Sequence, residues 1–283
     1  LAKAGICRIA MARGATMELR SLGASGIYVS VLGLGTVKLG RDQEVKYPRG
    51  FKIPDDAAVR DLLALTRDLG INFIDTAPAY GNSEERLGQL IDNPNDWVIM
   101  TKVGEIFENG KSSFDFTAAH TRMSVERSLT RLKRDSLDMV LVHSDGNDMH
   151  IIENEGALPE LQKLKEEGLI RAYGMSTKTT EGGIWIVENT DMVMATLNLG
   201  DDHDLPVIAR AHELNKGVVI KKGLQSGHAD KSAGGAGVER SFEYIFSHAG
   251  VSSMIVGTIN PDHLRENVVV TNRVIEDLHA KGQ

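Results

Sequence analysis

The sequence has little cysteine, no long apolar run and no excess of basic residues. One Cys, at position 7, excludes a disulfide framework or a cysteine-based zinc cluster within these 283 residues. No apolar run approaches the roughly 18 residues that span a bilayer. Lys and Arg number 32 against 39 Asp and Glu, and this net charge of −7 argues against a general nucleic-acid binder. With 41% hydrophobic residues, we expect a folded cytoplasmic protein that binds neither nucleic acid nor a membrane.

The first sixteen residues differ in character from the rest of the chain. They read LAKAGICRIAMARGAT, with three basic residues and no acidic one. A transit peptide is similarly basic but is usually rich in serine, which this stretch lacks. A new pattern begins at Met17. We predict that residues 1–16 are a non-native or upstream leader and that residues 17–283 form a single domain.

Short apolar runs alternate with amphipathic stretches after Met17, and a β-hairpin is predicted from Leu19 to Val29. Eight strand candidates are Val31–Thr36, Asn72–Thr76, Trp97–Lys102, Asp138–His143, Ile170–Met175, Met192–Leu197, Val218–Lys222 and Met254–Gly257. Helix candidates include Asp55–Leu69, Glu84–Ile91, Thr117–Leu132 and Ala157–Glu167. The strands are apolar without alternation, which is typical of parallel strands covered on both faces.

Eight strands alternating with helices favour an α/β fold, a (β/α)₈ TIM barrel with an N-terminal β-hairpin. The doubly wound alternative would carry a G-x-G-x-x-G turn after its first strand. Here Gly33-Leu-Gly35 is followed by Thr-Val-Lys, so the third glycine is missing. The barrel is therefore the predicted architecture.

Ionisable residues end three successive predicted strands. Asp75, Lys102 and His143 hold these positions, and Tyr80 follows Asp75 in a short loop. Function in such barrels concentrates at the C-terminal strand ends, and neighbouring strands lie about 4.8 Å apart, so the four side chains should converge. Each alone has an ordinary structural interpretation, but a buried lysine needs a partner, and Asp75 is the natural one.

A tyrosine beside a lysine and a histidine makes a proton donor. The pKa of free tyrosine is about 10, and a nearby ammonium lowers it towards neutrality. His143 could hydrogen-bond a substrate oxygen. Reduction of a carbonyl needs such an acid, and a hydride donor must bind beside the pocket because the side chains supply none.

The motifs as a whole resemble those of the aldo-keto reductases, NAD(P)H-dependent carbonyl reductases with a (β/α)₈ fold. The motifs are Leu32–Thr36, Phe73–Gly81, Ser83–Gly88, Thr101–Lys102, Ser128–Leu132, Asp138–His143, Gly168–Ser176 and Pro261–Asn267. They occur in family order over nearly the whole chain after the leader. The resemblance implies a catalytic tetrad of Asp75, Tyr80, Lys102 and His143, with Tyr80 as the general acid and an aldehyde or ketone as substrate.

The resemblance also implies a binding site for NADPH, with NADH not excluded. The implied contacts are Gly35 and Thr36 with the nicotinamide, Ser176 and Asn198 with its carboxamide, and Thr258, Glu266 and Asn267 at the adenosine end. Strand 7 of the family commonly delivers an aromatic residue that stacks on the nicotinamide, whereas this chain has Val218–Gly223. Lys221 or Lys222 could approach the cofactor phosphates or the ring edge instead, and Lys221 is the residue named for the cofactor site. Gly257 and His263 occupy positions where basic residues usually hold the 2′-phosphate, so the preference for NADPH stays open. No metal is expected.

Two other functions stay open at this point. Lys102 could be a Schiff-base nucleophile of a barrel lyase, or the protein could be a slow-turnover, NADPH-binding redox sensor. The substrate is poorly encoded. The loop Lys38–Pro54 is more readily explained as a solvated charged loop than as a substrate-binding segment, although it carries Lys46, Tyr47, Arg49 and Lys52. Trp185 and Phe107 are as easily core residues as pocket residues.

Overall fold

The computed structural model describes residues 17–45, 50–225 and 236–282. Its strands are β1 (Leu19–Ser21), β2 (Tyr28–Ser30), β3 (Leu32–Gly35), β4 (Phe73–Asp75), β5 (Val98–Val103), β6 (Glu105–Glu108), β7 (Lys111–Phe114), β8 (Leu137–His143), β9 (Ile170–Ser176), β10 (Met192–Thr196), β11 (Gly217–Lys221) and β12 (Ser253–Val256). Its helices are α1 (Val37–Gly40), α2 (Asp56–Asp68), α3 (Ser83–Leu90), α4 (Ala118–Leu132), α5 (Asp148–Asn154), α6 (Ala157–Glu166), α7 (Thr180–Asn189), α8 (Leu205–Glu213), α9 (Ala236–Phe246) and α10 (Pro261–Ala280). The predicted leader and Lys46, Tyr47 and Arg49 lie outside the described residues.

Eight parallel strands close into a barrel in the order β3, β4, β5, β8, β9, β10, β11 and β12. Each predicted strand is present within one or two residues, because continuous apolar runs mark strands that are covered on both faces. The strand ends are in register where the predicted site lies: Gly35 pairs with Asp75, and His143 pairs with Ser176. The predicted (β/α)₈ barrel is confirmed.

The predicted N-terminal hairpin is also confirmed, as the antiparallel pair β1–β2. Its apolar residues Leu22, Ile27 and Val29 are buried in one cluster with the barrel interior. Gly23 bridges to Lys216, just before β11 begins. The hairpin therefore closes the end of the barrel at which the strands start, and the opposite end carries the predicted site.

Several helices begin at residues whose side chains cap the first turn, and two helices end before a glycine with positive φ. Asp55 caps α2 by accepting a hydrogen bond from the Ala58 amide at 2.9 Å. Thr117 caps α4 by accepting a hydrogen bond from the His120 amide at 3.2 Å, and Asp115 accepts from the Thr117 amide. Gly70 and Gly168 both have positive φ directly after their helices, as expected for helix stops.

Besides the N-terminal hairpin, a second pair of strands lies outside the barrel, and this pair was not predicted. β6 and β7 form an antiparallel hairpin directly after β5, with Glu105 opposite Phe114. Its position after the C-terminal end of β5 places it on the side of the barrel that carries the predicted site. In the described part of the chain, none of the helices combines the length and apolar character needed to cross a membrane.

Candidate active site

Lys102 is the centre of a buried polar cluster at the C-terminal end of the barrel. It lies near the end of β5 with only 2% of its side chain exposed. Its Nζ donates to Asp75 Oδ1 at 2.5 Å, to the Thr76 carbonyl at 2.9 Å and to Tyr80 Oη at 3.2 Å. Three acceptors match the three protons of an ammonium group. The structure thus brings together three of the four residues predicted for the tetrad.

The ionisation of this cluster differs from the prediction for Tyr80. Burial, with Asp75 next in importance, raises the pKa of Tyr80 to about 12, although Lys102 acts in the opposite direction. Lys102 lowers this pKa as predicted, but burial and then Asp75 outweigh it, so the expected net lowering is not found. Burial alone would lower the pKa of Lys102, but Asp75 and Tyr80 raise it. At neutral pH the tyrosine keeps its proton and the lysine its charge.

His143, the last residue of β8, is the fourth member. Its ring meets the Tyr80 ring edge to face, with centroids 6.4 Å apart. Its Nδ1 lies 2.7 Å from Glu105 Oε2, a close charge contact without the alignment of a hydrogen bond. Burial and the nearby Lys102 and Lys221 lower the pKa of His143, while Glu105 opposes them.

Glu105 is a residue that the sequence analysis did not single out. Its Oε1 accepts hydrogen bonds from Ser112 at 2.6 Å and from Arg41 at 3.2 Å. Burial would raise the pKa of Glu105, but His143, Ser112 and Arg41 outweigh it and lower the pKa to about 2. Arg41 also stacks on Phe107, its guanidinium 3.5 Å from the ring centre. Phe107 therefore holds Arg41 and does not belong to the main core.

The Tyr80 loop is fixed by backbone contacts that only glycine permits. Gly81 has φ +63°, and a Cβ on it would come within 2.0 Å of the Gly40 carbonyl oxygen. A Cβ on Gly40 would in turn come within 2.3 Å of the Tyr80 carbonyl oxygen. The loop therefore packs directly on the end of α1, and this contact sets the position of Tyr80.

The Ser83–Gly88 motif supports the site without reaching it. Buried Glu84 accepts from Thr101 at 2.6 Å and from Ser128 at 2.8 Å. Arg86 donates to the Leu39 carbonyl at 2.5 Å and to Asp56. These bonds tie α3 to β5, α4, α1 and α2.

Most residues predicted to bind the cofactor surround the same mouth. Gly35 and Ser176 end barrel strands, and Thr36 directly follows β3. Thr36 is buried, and both its hydroxyl and its backbone amide donate to the Asp75 carbonyl, at 2.9 and 3.0 Å. Asn198 follows β10 and donates to the Lys222 carbonyl at 3.3 Å.

The residues predicted for the adenosine end lie at and after β12. Thr258 follows this strand, and α10 carries Glu266, which is exposed, and Asn267, which is buried. Asn260 caps the helix by accepting from the Asp262 and His263 amides. Gly257 and His263 bring no basic group of the kind that would hold a 2′-phosphate firmly, and Arg265 is exposed.

Lys221 is the most unusual of these side chains. Its Nζ donates to Ser176 Oγ at 2.9 Å and to the Thr177 carbonyl. Within the described residues it forms no ion pair with a carboxylate. Burial, followed by the charge of Lys222, lowers the pKa of Lys221 to about 7. A half-buried amine without a counter-ion at the mouth suits an anionic or hydrogen-bond-accepting part of a ligand.

A second residue missed from the sequence, Asp148, holds the loop after β9. Its Oδ2 accepts from the Lys178 and Thr179 amides and from the Thr179 hydroxyl, each at 2.8 Å. This loop begins beside Ser176. The signal available in the sequence was a carboxylate five residues after His143, which is too common to stand out.

Trp185 and the turn at residues 201–204 have structural roles. Trp185 packs from α7 against the main core. His203 contacts Asp201 and lies 3.4 Å from Asp204 in a surface turn. Over the described ranges, His, Cys, Asp and Glu side chains form no cluster suited to a metal ion.

Comparison with known proteins agrees with this geometry. The family model described as Aldo/keto reductase family matches residues 31–232. A solved structure from Pseudomonas aeruginosa, described as an aldo-keto reductase, is 52% identical, has a TM-score of 0.83 and covers 91% of this chain and 95% of that one. L-galactose dehydrogenase of Arabidopsis thaliana is 29% identical over 91% of this chain and 89% of its own length. An uncharacterized oxidoreductase of Bacillus subtilis, YqkF, is 27% identical over 90% and 92% of the two chains.

Proposed function

Because the chain belongs to the aldo/keto reductase family, we propose that it is a cytoplasmic NADPH-dependent oxidoreductase that reduces aldehydes or ketones to alcohols. The observation that carries the proposal is the bond from buried Lys102 to Tyr80 Oη, with Asp75 on the other side of the ammonium. A tyrosine held this way is a positioned proton donor beside a cleft.

Each member of the tetrad has a distinct part in the proposal. Tyr80 donates its proton to the carbonyl oxygen as hydride reaches the carbon. Lys102 stabilises the tyrosinate that is left, and Asp75 keeps the ammonium in place. His143 lies beside Tyr80 and hydrogen-bonds the substrate oxygen. In the reverse direction the same tyrosine accepts the proton of an alcohol.

The cofactor site of the proposal surrounds this mouth. Bound nicotinamide supplies the hydride, and the residues that would hold the dinucleotide are Gly35, Thr36, Ser176, Asn198, Lys221, Thr258, Glu266 and Asn267. The fit rests on Lys221, a half-buried amine with no carboxylate partner in the described structure. NADH remains the alternative to NADPH because basic side chains are sparse after β12.

The Schiff-base alternative is not supported by the structure. A lysine nucleophile must lose its proton to attack a carbonyl. Lys102 donates to three acceptors, and Asp75 and Tyr80 raise its pKa. The ammonium therefore persists at neutral pH, which suits charge stabilisation and not imine formation.

The test measures cofactor binding and turnover separately. We expect saturable quenching of protein fluorescence by NADPH and oxidation of NADPH with 4-nitrobenzaldehyde. Tyr80→Phe should keep the binding and lose the turnover, whereas Tyr28→Phe, on the exposed hairpin at the far end of the barrel, should keep both. Binding with negligible turnover across a broad carbonyl panel would favour the redox-sensor function. Absence of binding to either dinucleotide would reject both.

A further inference from the structure

A carboxylate that the proposed proton transfer does not use lies against one nitrogen of His143. Glu105 Oε2 is 2.7 Å from His143 Nδ1. Two unprotonated acceptor atoms at this distance would repel each other. The contact is therefore favourable only when Nδ1 carries a proton.

Glu105 is held in place independently of the histidine. Its other oxygen, Oε1, accepts from Ser112 at 2.6 Å and from Arg41 at 3.2 Å. Arg41 is itself fixed by the Ala79 carbonyl at 3.1 Å, one residue before Tyr80. The carboxylate is thus oriented towards Nδ1 by groups on the β6–β7 hairpin and on the loop after α1.

The opposite nitrogen of the ring is the one available to a ligand. Within the described residues no hydrogen bond is made by His143 Nε2, and the side chain is 22% exposed. With the proton fixed on Nδ1, a neutral ring has a bare Nε2, which accepts hydrogen bonds. Only the imidazolium form has a proton at Nε2 to donate.

We propose that Glu105 is a positioning residue that keeps the proton of neutral His143 on Nδ1, so that Nε2 accepts from a substrate hydroxyl and donates to a carbonyl only as imidazolium. The substrate half of this inference rests on the proposed function. It makes the direction of catalysis depend on the protonation of His143: the neutral ring favours alcohol oxidation, and the imidazolium favours carbonyl reduction.

The charges around His143 determine the pH at which its ring changes protonation. Glu105 on β6 attracts the proton, while Lys102 on β5 and Lys221 at the end of β11 repel it. Tyr80, whose ring meets His143 edge to face, is neutral at these pH values. Burial together with the two lysines leaves the pKa of His143 below its ordinary value. The neutral, accepting form should therefore predominate above about pH 6.5.

The first test determines which ring nitrogen of His143 carries the proton, and it does not require enzyme activity. Nitrogen-15 NMR of histidine-labelled protein at about pH 8 should show His143, assigned by its loss in His143→Gln, protonated at Nδ1. Glu105→Leu should move the proton to Nε2, the form preferred by free imidazole. Glu108→Gln, on the exposed end of the same strand, should leave the spectrum unchanged. An Nε2-protonated His143 in the unaltered protein would overturn the proposal.

The second test reads the consequence for catalysis. In the unaltered protein, kcat/KM for carbonyl reduction should fall about tenfold per pH unit above the pKa of His143. Because reduction consumes one proton, kcat/KM for alcohol oxidation should stay level above that pKa and fall about tenfold per pH unit below it. Glu105→Leu should flatten the decline in reduction, because a neutral ring then has a donor at Nε2. Glu105→Gln keeps the shape but removes the charge, so it should move both profiles about one pH unit or more towards acid.

The two tests distinguish failure of the inference from failure of the proposed function. Unchanged profiles in both Glu105 variants would overturn the inference while leaving the reductase activity intact. Nδ1 protonation in a protein that turns over neither carbonyls nor alcohols would reject the proposed function and support the proton placement.

Discussion

Two lysines of the site handle a buried charge in opposite ways. Lys102 has Asp75 at 2.5 Å and two further acceptors, so its ammonium is balanced within the protein. Lys221 has only a hydroxyl and a carbonyl. Because burial of an unpaired charge is costly, Lys221 loses its proton near neutrality, with a pKa of about 7. The charge of Lys102 is therefore balanced within the protein, whereas Lys221 has no carboxylate partner among the described residues.

The proposed contact of Lys221 with the cofactor predicts that cofactor affinity depends on pH. If Lys221 binds an anionic part of the dinucleotide, binding favours the protonated amine. Below about pH 7 the free lysine already carries the proton, whereas above it binding must take one up, so the dissociation constant should rise by up to about tenfold per pH unit. Fluorescence titration with NADPH from pH 6 to pH 9 measures this dependence.

Two variants separate Lys221 from the other groups that titrate. Lys221→Met should weaken binding at low pH and abolish the steep part of the dependence. Lys163→Met, on α6 with its side chain exposed beside Glu160, should behave like the unaltered protein, because an exposed ammonium contributes little to an ion pair. An affinity that is constant over this range in the unaltered protein would show that Lys221 does not bind an anion of the cofactor.

At the scale of elements, the site depends on the contact between the Tyr80 loop and α1. Gly81 combines a positive φ with a backbone oxygen 2.0 Å from the position of an added Cβ. Gly81→Ala should therefore cost about 3 kcal/mol or more and displace Tyr80, reducing kcat as well as stability. Gly26→Ala is the matched control, since Gly26 also has positive φ but open space around it. It should cost about 1 kcal/mol and leave kcat unchanged.

Denaturant unfolding and steady-state kinetics on these two variants check the prediction. Equal losses of stability in both would mean that only the backbone conformation matters and that the loop can move away from α1. Normal turnover in Gly81→Ala would contradict the view that this contact positions Tyr80.

The elements that could be predicted from the sequence are the buried strands, because each of them is a mostly apolar run of residues. β8 is an example: Asp138–His143 was predicted and Leu137–His143 is observed. The β6–β7 hairpin was missed because its strands are short and β7 is exposed throughout. A local signal was present, since Asn109 and Gly110 both have positive φ in the tight turn that this dipeptide favours. Missing the hairpin also meant missing Glu105.

The positions of the tetrad residues were easier to predict from the sequence than their protonation states. Asp75 and His143 end barrel strands and Lys102 is next to last in its strand, and parallel strands bring such ends together. The direction of the Tyr80 pKa depends on how deeply the ring is buried and on how fully Asp75 offsets Lys102. Both are three-dimensional quantities that spacing along the chain does not give. The cofactor contacts stay predictions for the same reason, because they depend on the shape of the mouth.

At the scale of the whole molecule, the two ends of the barrel have separate tasks. The hairpin end is apolar, with Leu22 packed against Gly217 at the start of β11. Leu22→Ala should cost about 2–5 kcal/mol of unfolding free energy, because it leaves a cavity in a closed core. Turnover at a temperature where the variant is folded should stay normal. A large loss of turnover in the folded variant would show that the hairpin also shapes the catalytic end.

The central claim is that Tyr80, held by Lys102, donates the proton in carbonyl reduction. Tyr80→Phe tests it most directly, because the change removes one oxygen atom and leaves the ring. We predict an unchanged dissociation constant for NADPH and a kcat for 4-nitrobenzaldehyde reduction that is about 100-fold or more lower. Full activity in this variant would contradict the claim and require another proton donor at the mouth of the barrel.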